Sequence, residues 1–507
     1  MKSFWFFTAL LGASSAALAQ NNPLNRDATV PLAAAQGERP DYAAATWLPA
    51  ASKNFQTLNR PAPEVPIDMV VMHDIEGTAG SALAWFQNPQ AHVSSHYVVD
   101  KDGRVWQMVR ERNVAWHAGN SAINRRAVGI EMEGFAYRPG FYDDALYESA
   151  AALVRDITAR HAIARDRTHI IGHFEVPNPR QPGAFGGSSG HTDPGPYWDW
   201  EKFLELVRNY AKMLSMNFPA TLHPGEIASA EAVFLNRGDD AWIAYTSAHQ
   251  DAERINLNPV YLASCAAPQD GQIAPASLRR SPFFHLQSWI SPTLASGPTP
   301  LDANATTLQP NTAQTPTLPG QAARFAFQMQ APRVAGEFVE EFRLAKVARA
   351  PRAPLFFGES LRVTVKVTPW EIEKPVNEAG WSAAGWEIKG TGAGKLLWRR
   401  ATPSPASTVA VHVAQWSGTL PVEGSWQVFA RWPAGENRTH HAIYTISDKK
   451  GPHQVSVDQS RGSGAWHNLG RFDFDRNATV ALHAQGDKGV VVAQSLRIVG
   501  PFPKPAN

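Results

Sequence analysis

Helical patterning stops near Leu222, and that change limits what the chain can fold into. Before it, apolar residues recur both in compact runs and at helical spacing. Beyond it, they recur only in short alternating segments. Such a chain needs an α/β part followed by all-β parts. At 507 residues it is also too long for one core, so roughly three domains of about 100–200 residues are expected.

In the first part, Ile67–His73 is a compact apolar run that reads as a buried strand. His96–Asp100 and Arg104–Val109 flank Asp102-Gly103, a turn pair that predicts a hairpin. Ala127–Met132 and Thr168–His173 read as further strands. Leu146, Ala150, Leu153, Val154 and Ile157 lie on one face of a helix predicted over Asp143–Arg160, and Asp199–Met213 reads as a second helix. The expected class is an α/β domain over 65–215, with a mixed β-sheet and flanking helices, followed by two all-β sandwich-type domains. Ala232–Leu235, Ala241–Tyr245, Arg324–Met329, Glu337–Leu344 and Leu361–Val367 are the strand segments of the first, over 216–370. Thr293–Gly320, rich in Pro, Thr and Ala, reads as a long mobile loop. A further β unit runs from about Trp386 to Val499, within a domain placed at 385–500.

Residues 1–19 have the form of a secretory signal: Lys2, an apolar stretch from Phe4 to Leu18, and Ala17-Leu18-Ala19 as a cleavage pattern. Residues 20–64 show no periodicity and read as a lead-in segment. No later segment has the apolar length for a membrane span. The expectation is therefore an exported protein, periplasmic or secreted. A single cysteine, Cys265, excludes an intramolecular disulfide and reads as structural. Lys+Arg number 47 and Asp+Glu 45, a net charge of +2 with no long basic run, so no nucleic-acid partner is expected. Oligomeric state is not readable.

Eight of the 17 histidines fall between His73 and Trp200, in about a quarter of the chain. His73 and His173 each end an expected strand, and Asp193 sits in the turn His191-Thr192-Asp193-Pro194-Gly195-Pro196. Two imidazoles and a carboxylate, with a fourth position open to water, can make a catalytic zinc site. Strand ends would give such ligands rigid supports. Spacing alone does not join them: no short pattern such as H-E-x-x-H links the three, and Asp before Pro-Gly is commonly just a turn former.

Six stretches, in order, carry a resemblance. They are Val70–Gly77 (VVMHDIEG), Val93–Val109 (VSSHYVVDKDGRVWQMV), Ala115–Asn120 (AWHAGN), Val128–Gly134 (VGIEMEG), Ile170–Val176 (IIGHFEV) and His191–Trp200 (HTDPGPYWDW). Together they resemble the zinc N-acetylmuramoyl-L-alanine amidases, the family shared by bacterial cell-wall amidases, amidase-type phage lysozymes and peptidoglycan recognition proteins. The resemblance implies one zinc ion held by His73, His173 and Asp193. It implies Glu131 as the catalytic proton carrier, and peptidoglycan or muropeptides as substrate. His191 stands where many members have Lys; a donor there would steady an oxyanion. Trp116 and His117 match a substrate-cleft motif. His96 lies beside the site, either touching substrate or holding the geometry, and Asp74 is a candidate supporting partner. The stretch Asn178–Gly190 makes the separation of His173 from Asp193 longer than in compact members, as a tolerated insertion or as a lid.

Phe429–Ile446, Val455–Gln459 and Trp466–Phe474 resemble the golvesin C-terminal type of β domain, and Asn236–Trp242 (NRGDDAW) is loosely similar to Ig-like modules. Tryptophans there serve as core or as sugar-stacking platforms. The implied activity is hydrolysis of the amide between N-acetylmuramic acid and L-alanine. Two alternatives are a non-catalytic peptidoglycan binder and a zinc amidase with a different amide substrate.

Overall fold

The computed structural model describes residues 39–177, 190–243, 259–265, 277–301, 316–347, 353–402 and 412–503. The signal-like residues 1–19 and nearly all of the Asn178–Gly190 stretch lie outside them. One compact unit closes at Arg208 and another opens at Asn209.

The first unit is built on a mixed six-stranded sheet. Its strands are β1 (Thr46–Trp47), β3 (Met69–Asp74), β4 (Tyr97–Val99), β5 (Val105–Gln107), β7 (Ala127–Met132) and β8 (Ile170–Gly172), in the order β1-β5-β4-β7-β3-β8. A small separate ladder pairs β2 (Phe55–Gln56) with β6 (Val114–Ala115). The strands β4, β7, β3 and β8 run parallel, while β5 returns antiparallel to β4 after the predicted Asp-Gly turn. Every residue of β3 is buried, as expected for a parallel strand covered on both faces.

Four helices accompany the sheet: α1 (Ala79–Gln87), α2 (Ser121–Arg126), α3 (Asp144–His161) and α4 (Trp200–Arg208). The Asp143 side chain caps α3 by accepting from Leu146 N–H, and Ala162 ends it in the left-handed region at φ 53°. Its predicted apolar face, Leu146, Ala150, Leu153, Val154 and Ile157, is buried.

Two sequence expectations change here. The helix read over Asp199–Met213 stops at Arg208, and Ala211–Asn217 is instead a strand paired antiparallel with Ile227–Asn236. Lys, Met and Leu suit either state, so tertiary pairing decides. The stretch read as a lead-in contributes β1 to the sheet and β2 to the ladder. Pairings of two residues leave no periodic trace. The same stretch supplies Arg60, 3% exposed, whose guanidinium donates to the carbonyls of Glu111 and Ala127 at 2.7 and 2.9 Å.

In the second unit a five-stranded and a four-stranded sheet hold the chain from Ala211 to Val367. Phe234, Phe325, Phe342, Phe357 and Trp242 are all fully buried. The strand Ala322–Gln330 alternates inward and outward along most of its length. Leu294–Ser296 and Thr299–Pro300 are strands within the stretch read as a mobile loop, because they pair with Val260–Cys265 and Ala322–Gln330. Cys265 is buried, and burial pushes its thiol up to about 12. Toward the C-terminus, Trp370–Pro375 pairs over its whole length with Ser495–Phe502, so β structure in this part starts before Trp386. Trp426, Trp432, Tyr444 and Phe474 fill the core beneath these sheets. Among the described residues no helix is long and apolar enough to cross a membrane.

Candidate active site

The parallel strands β3, β7 and β8 deliver their carboxyl ends to one place, where open α/β sheets form crevices. His73 is the next-to-last residue of β3, and His173 follows β8 directly as the first residue of a 3-10 turn. Glu131 on β7 is in register with His73, so the two side chains leave the same face. Asp193 reaches this point from a loop: Phe174 N–H donates to its carbonyl at 3.2 Å.

That loop is anchored by aromatic residues. Trp198 stacks on Tyr147 at 4.3 Å, and Asp199 N–H donates to the Tyr147 hydroxyl at 2.7 Å. The Arg167 guanidinium lies 3.4 Å over the Trp200 ring. The Tyr142 hydroxyl lies 2.7 Å from the Pro194 carbonyl and 2.8 Å from Asp74 Oδ2. Gly195, at φ 87°, packs onto the backbone of Ala136, where any Cβ would stand 2.4 Å from a carbonyl oxygen.

The structure thus brings together His73, His173 and Asp193. Nδ1 of each histidine lies 3.2 Å from Asp193 Oδ2, and the three side chains are 2, 6 and 13% exposed. One ligand atom from each lies within 4.8 Å of the others. Burial and the neighbouring His173 push His73 down to about 4, which keeps it neutral near pH 7. Burial alone would raise Asp193, but His173 and His73 outweigh it and hold the carboxyl well below its usual range. A donor set of two imidazole nitrogens and one carboxylate oxygen fits a divalent zinc ion. Glu131 is half-buried; burial, then Asp193 and Asp74, raise its pKa well above the carboxylate range. Burial likewise pushes Asp74 up to about 7.

His191 stacks on His173 at 3.8 Å and 16°, with its Nδ1 3.8 Å from Asp193 Oδ1. Its side chain is 41% exposed, and burial, followed by the nearby His173, lowers its pKa. Trp116 is half-exposed. Of the two alternatives for His96, touching substrate or holding the geometry, the structure favours the second. His96 is fully buried, with Gly129 N–H donating to its Nδ1 at 3.0 Å and Arg60 Nη2 2.6 Å from its Nε2, so no substrate reaches it. His117 is half-buried, with its Nδ1 3.0 Å from His73 Nε2. Tyr142, Arg60 and Gly129 were not singled out from sequence. Only the glycine lies in a motif, and its role there depends on a ring packed against it from 12 residues upstream.

Residues 63–196 match the family described as N-acetylmuramoyl-L-alanine amidase, and residues 373–500 match the golvesin C-terminal domain. N-acetylmuramoyl-L-alanine amidase A of Achromobacter lyticus is 33% identical over 177 residues, which is 33% of this chain and 95% of that protein. The 1,6-anhydro-N-acetylmuramyl-L-alanine amidase AmpD of Haemophilus influenzae is 35% identical over 126 residues, 24% of this chain and 61% of its own length. Among solved structures, a selenomethionine AmpD derivative aligns at 28% identity with a TM-score of 0.26, covering 32% of this chain and 95% of that one.

Proposed function

The chain belongs to the N-acetylmuramoyl-L-alanine amidase family, and from that premise we propose how its own residues cleave the amide between N-acetylmuramic acid and L-alanine in peptidoglycan. The observation that carries the proposal is the convergence of two buried imidazoles and one carboxylate beside Glu131. His73, His173 and Asp193 hold one zinc ion. When bound, zinc supplies a Lewis acid and lowers the pKa of water from about 15.7 to near 7.

Glu131 takes the proton of the attacking water and hands it to the leaving amine of L-alanine. Burial, Asp193 and Asp74 raise its pKa, which makes it a stronger base for that exchange than an ordinary carboxylate. His191, at the exposed side of the ligand cluster, donates to the developing oxyanion. Trp116 borders the substrate. Residues 1–19 direct export, the chain from 65 to Arg208 forms the catalytic domain with β1 and β2 added to it, and two accessory β domains follow, one from Asn209 to Val367 and one from Trp370 onward.

Defined muropeptides digested with wild type and Glu131→Ala, with and without a chelator, test this reading. Wild type releases stem peptides beginning in L-alanine, while the variant and the chelated enzyme release none. Release that survives both treatments would overturn it. Sequencing the mature N-terminus tests the export signal.

A further inference from the structure

His117 is fixed more firmly than contact with a passing substrate requires. Its backbone N–H and that of Ala118 both donate to Asn124 Oδ1, at 3.2 and 2.8 Å. Its ring occupies the space that a side chain at Gly129 would need: a Cβ there would stand 2.4 Å from His117 Cγ and 2.6 Å from Cδ2. The strand cannot move aside, because Gly129 N–H is engaged with His96 Nδ1 at 3.0 Å and β7 is paired on both edges. Glycine is needed at this position for space. The ring so placed meets His73 edge-on, at 84° with centroids 5.1 Å apart, and sets Nδ1 3.0 Å from His73 Nε2.

A neutral imidazole has one N–H and one lone pair. Whichever nitrogen of His73 carries the proton, the other is the ligand. His73 Nδ1 and His173 Nδ1 both face Asp193 Oδ2 at 3.2 Å, so with a metal held among them the His73 lone pair sits on Nδ1 and the proton on Nε2. An acceptor opposite Nε2 selects that tautomer and fixes the ring plane.

We propose that His117 is a positioning residue for His73: its Nδ1 accepts a hydrogen bond from His73 Nε2–H and holds Nδ1 as the metal-binding atom, with Gly129 making room for the ring. This rests on the reading of His73 as a zinc ligand. It replaces a role in substrate contact for His117.

The test compares zinc affinity, by competition with a chromophoric chelator, in wild type, His117→Ala, His117→Asn and Gly129→Ala. His117→Ala and Gly129→Ala are expected to bind zinc about 10–100-fold more weakly. His117→Asn is expected to stay near wild type, because its Oδ1 takes the acceptor position of Nδ1. Nitrogen-detected histidine NMR of the zinc-loaded wild type is expected to show His73 protonated on Nε2. Zinc affinity unchanged in His117→Ala, with a raised KM, would mean a substrate contact and overturn the proposal. Equal loss in the Ala and Asn variants would also overturn it, since the acceptor would then not matter. If His117→Ala fails to fold, His117→Asn and Gly129→Ala carry the comparison. A wild type that binds no zinc would instead sink the metal reading itself.

Discussion

Replacing Tyr142 by Phe removes one oxygen and leaves the ring packed against Gly134 and Trp198. That oxygen carries one hydrogen, with the Pro194 carbonyl at 2.7 Å and Asp74 Oδ2 at 2.8 Å both in its reach; a protonated Asp74 would donate to the hydroxyl and leave its hydrogen for Pro194. Asp74 keeps a second donor, Glu76 N–H at 2.7 Å, and can take up a proton. The main loss is therefore at the Pro194 carbonyl. A buried acceptor left without a donor costs about 1–3 kcal/mol. Taking about 2 kcal/mol and about 2–4 °C per kcal/mol for a unit of this size, its melting transition should fall by about 4–8 °C. Pro194 also follows Asp193 directly, so freeing it loosens the metal carboxylate, and zinc affinity should drop by about tenfold. Differential scanning calorimetry and chelator competition on the full chain measure the two. A variant that melts and binds zinc like wild type would refute the idea that Tyr142 ties Asp193 in place.

Burial would raise Glu111, but Arg160 and His161 hold it down to about 2 through contacts of 2.5–2.7 Å. A carboxyl depressed from about 4.5 stabilises the fold by about 3 kcal/mol above pH 4.5, and that is lost as pH falls toward 2. Glu111→Gln should remove this acid-side slope and lower stability at pH 7; an unchanged acid unfolding curve would contradict it. His191→Lys places a permanent cation where the lowered imidazole pKa leaves His191 neutral at pH 7, so kcat/KM should rise at pH 7–8 and vary less with pH. An identical pH–rate profile would remove His191 from the mechanism. Trp242→Ala should destabilise the second unit by about 3–5 kcal/mol while leaving turnover of soluble muropeptides intact, because Trp242 is fully buried core. Loss of glycan binding without loss of stability would contradict that.

The legible parts of the fold were those with long, regular signals. The strand Ala127–Met132 and the helix near Asp143–Arg160 stand within a residue of their expected ends, since a strand with five of six residues buried and an 18-residue amphipathic helix outweigh local ambiguity. Segments of two residues, such as Thr46–Trp47, become strands only because a partner is waiting. The site divides the same way. Motif order named His73, His173 and Asp193, and the fold brings them together. It cannot tell an inward ring from an outward one, so it leaves His96 open between touching substrate and holding the geometry and places His117 in a substrate-cleft motif. Their orientation depends on Arg60, Asn124 and Gly129, none of them adjacent in sequence.

X-ray diffraction from the zinc-loaded protein, with anomalous data at the zinc edge, tests the central claim most directly. The account predicts one zinc per chain, bound by Nδ1 of His73, Nδ1 of His173 and a carboxylate oxygen of Asp193, with Glu131 facing its open side. Zinc bound elsewhere, or absent from these three residues at full loading, would contradict it.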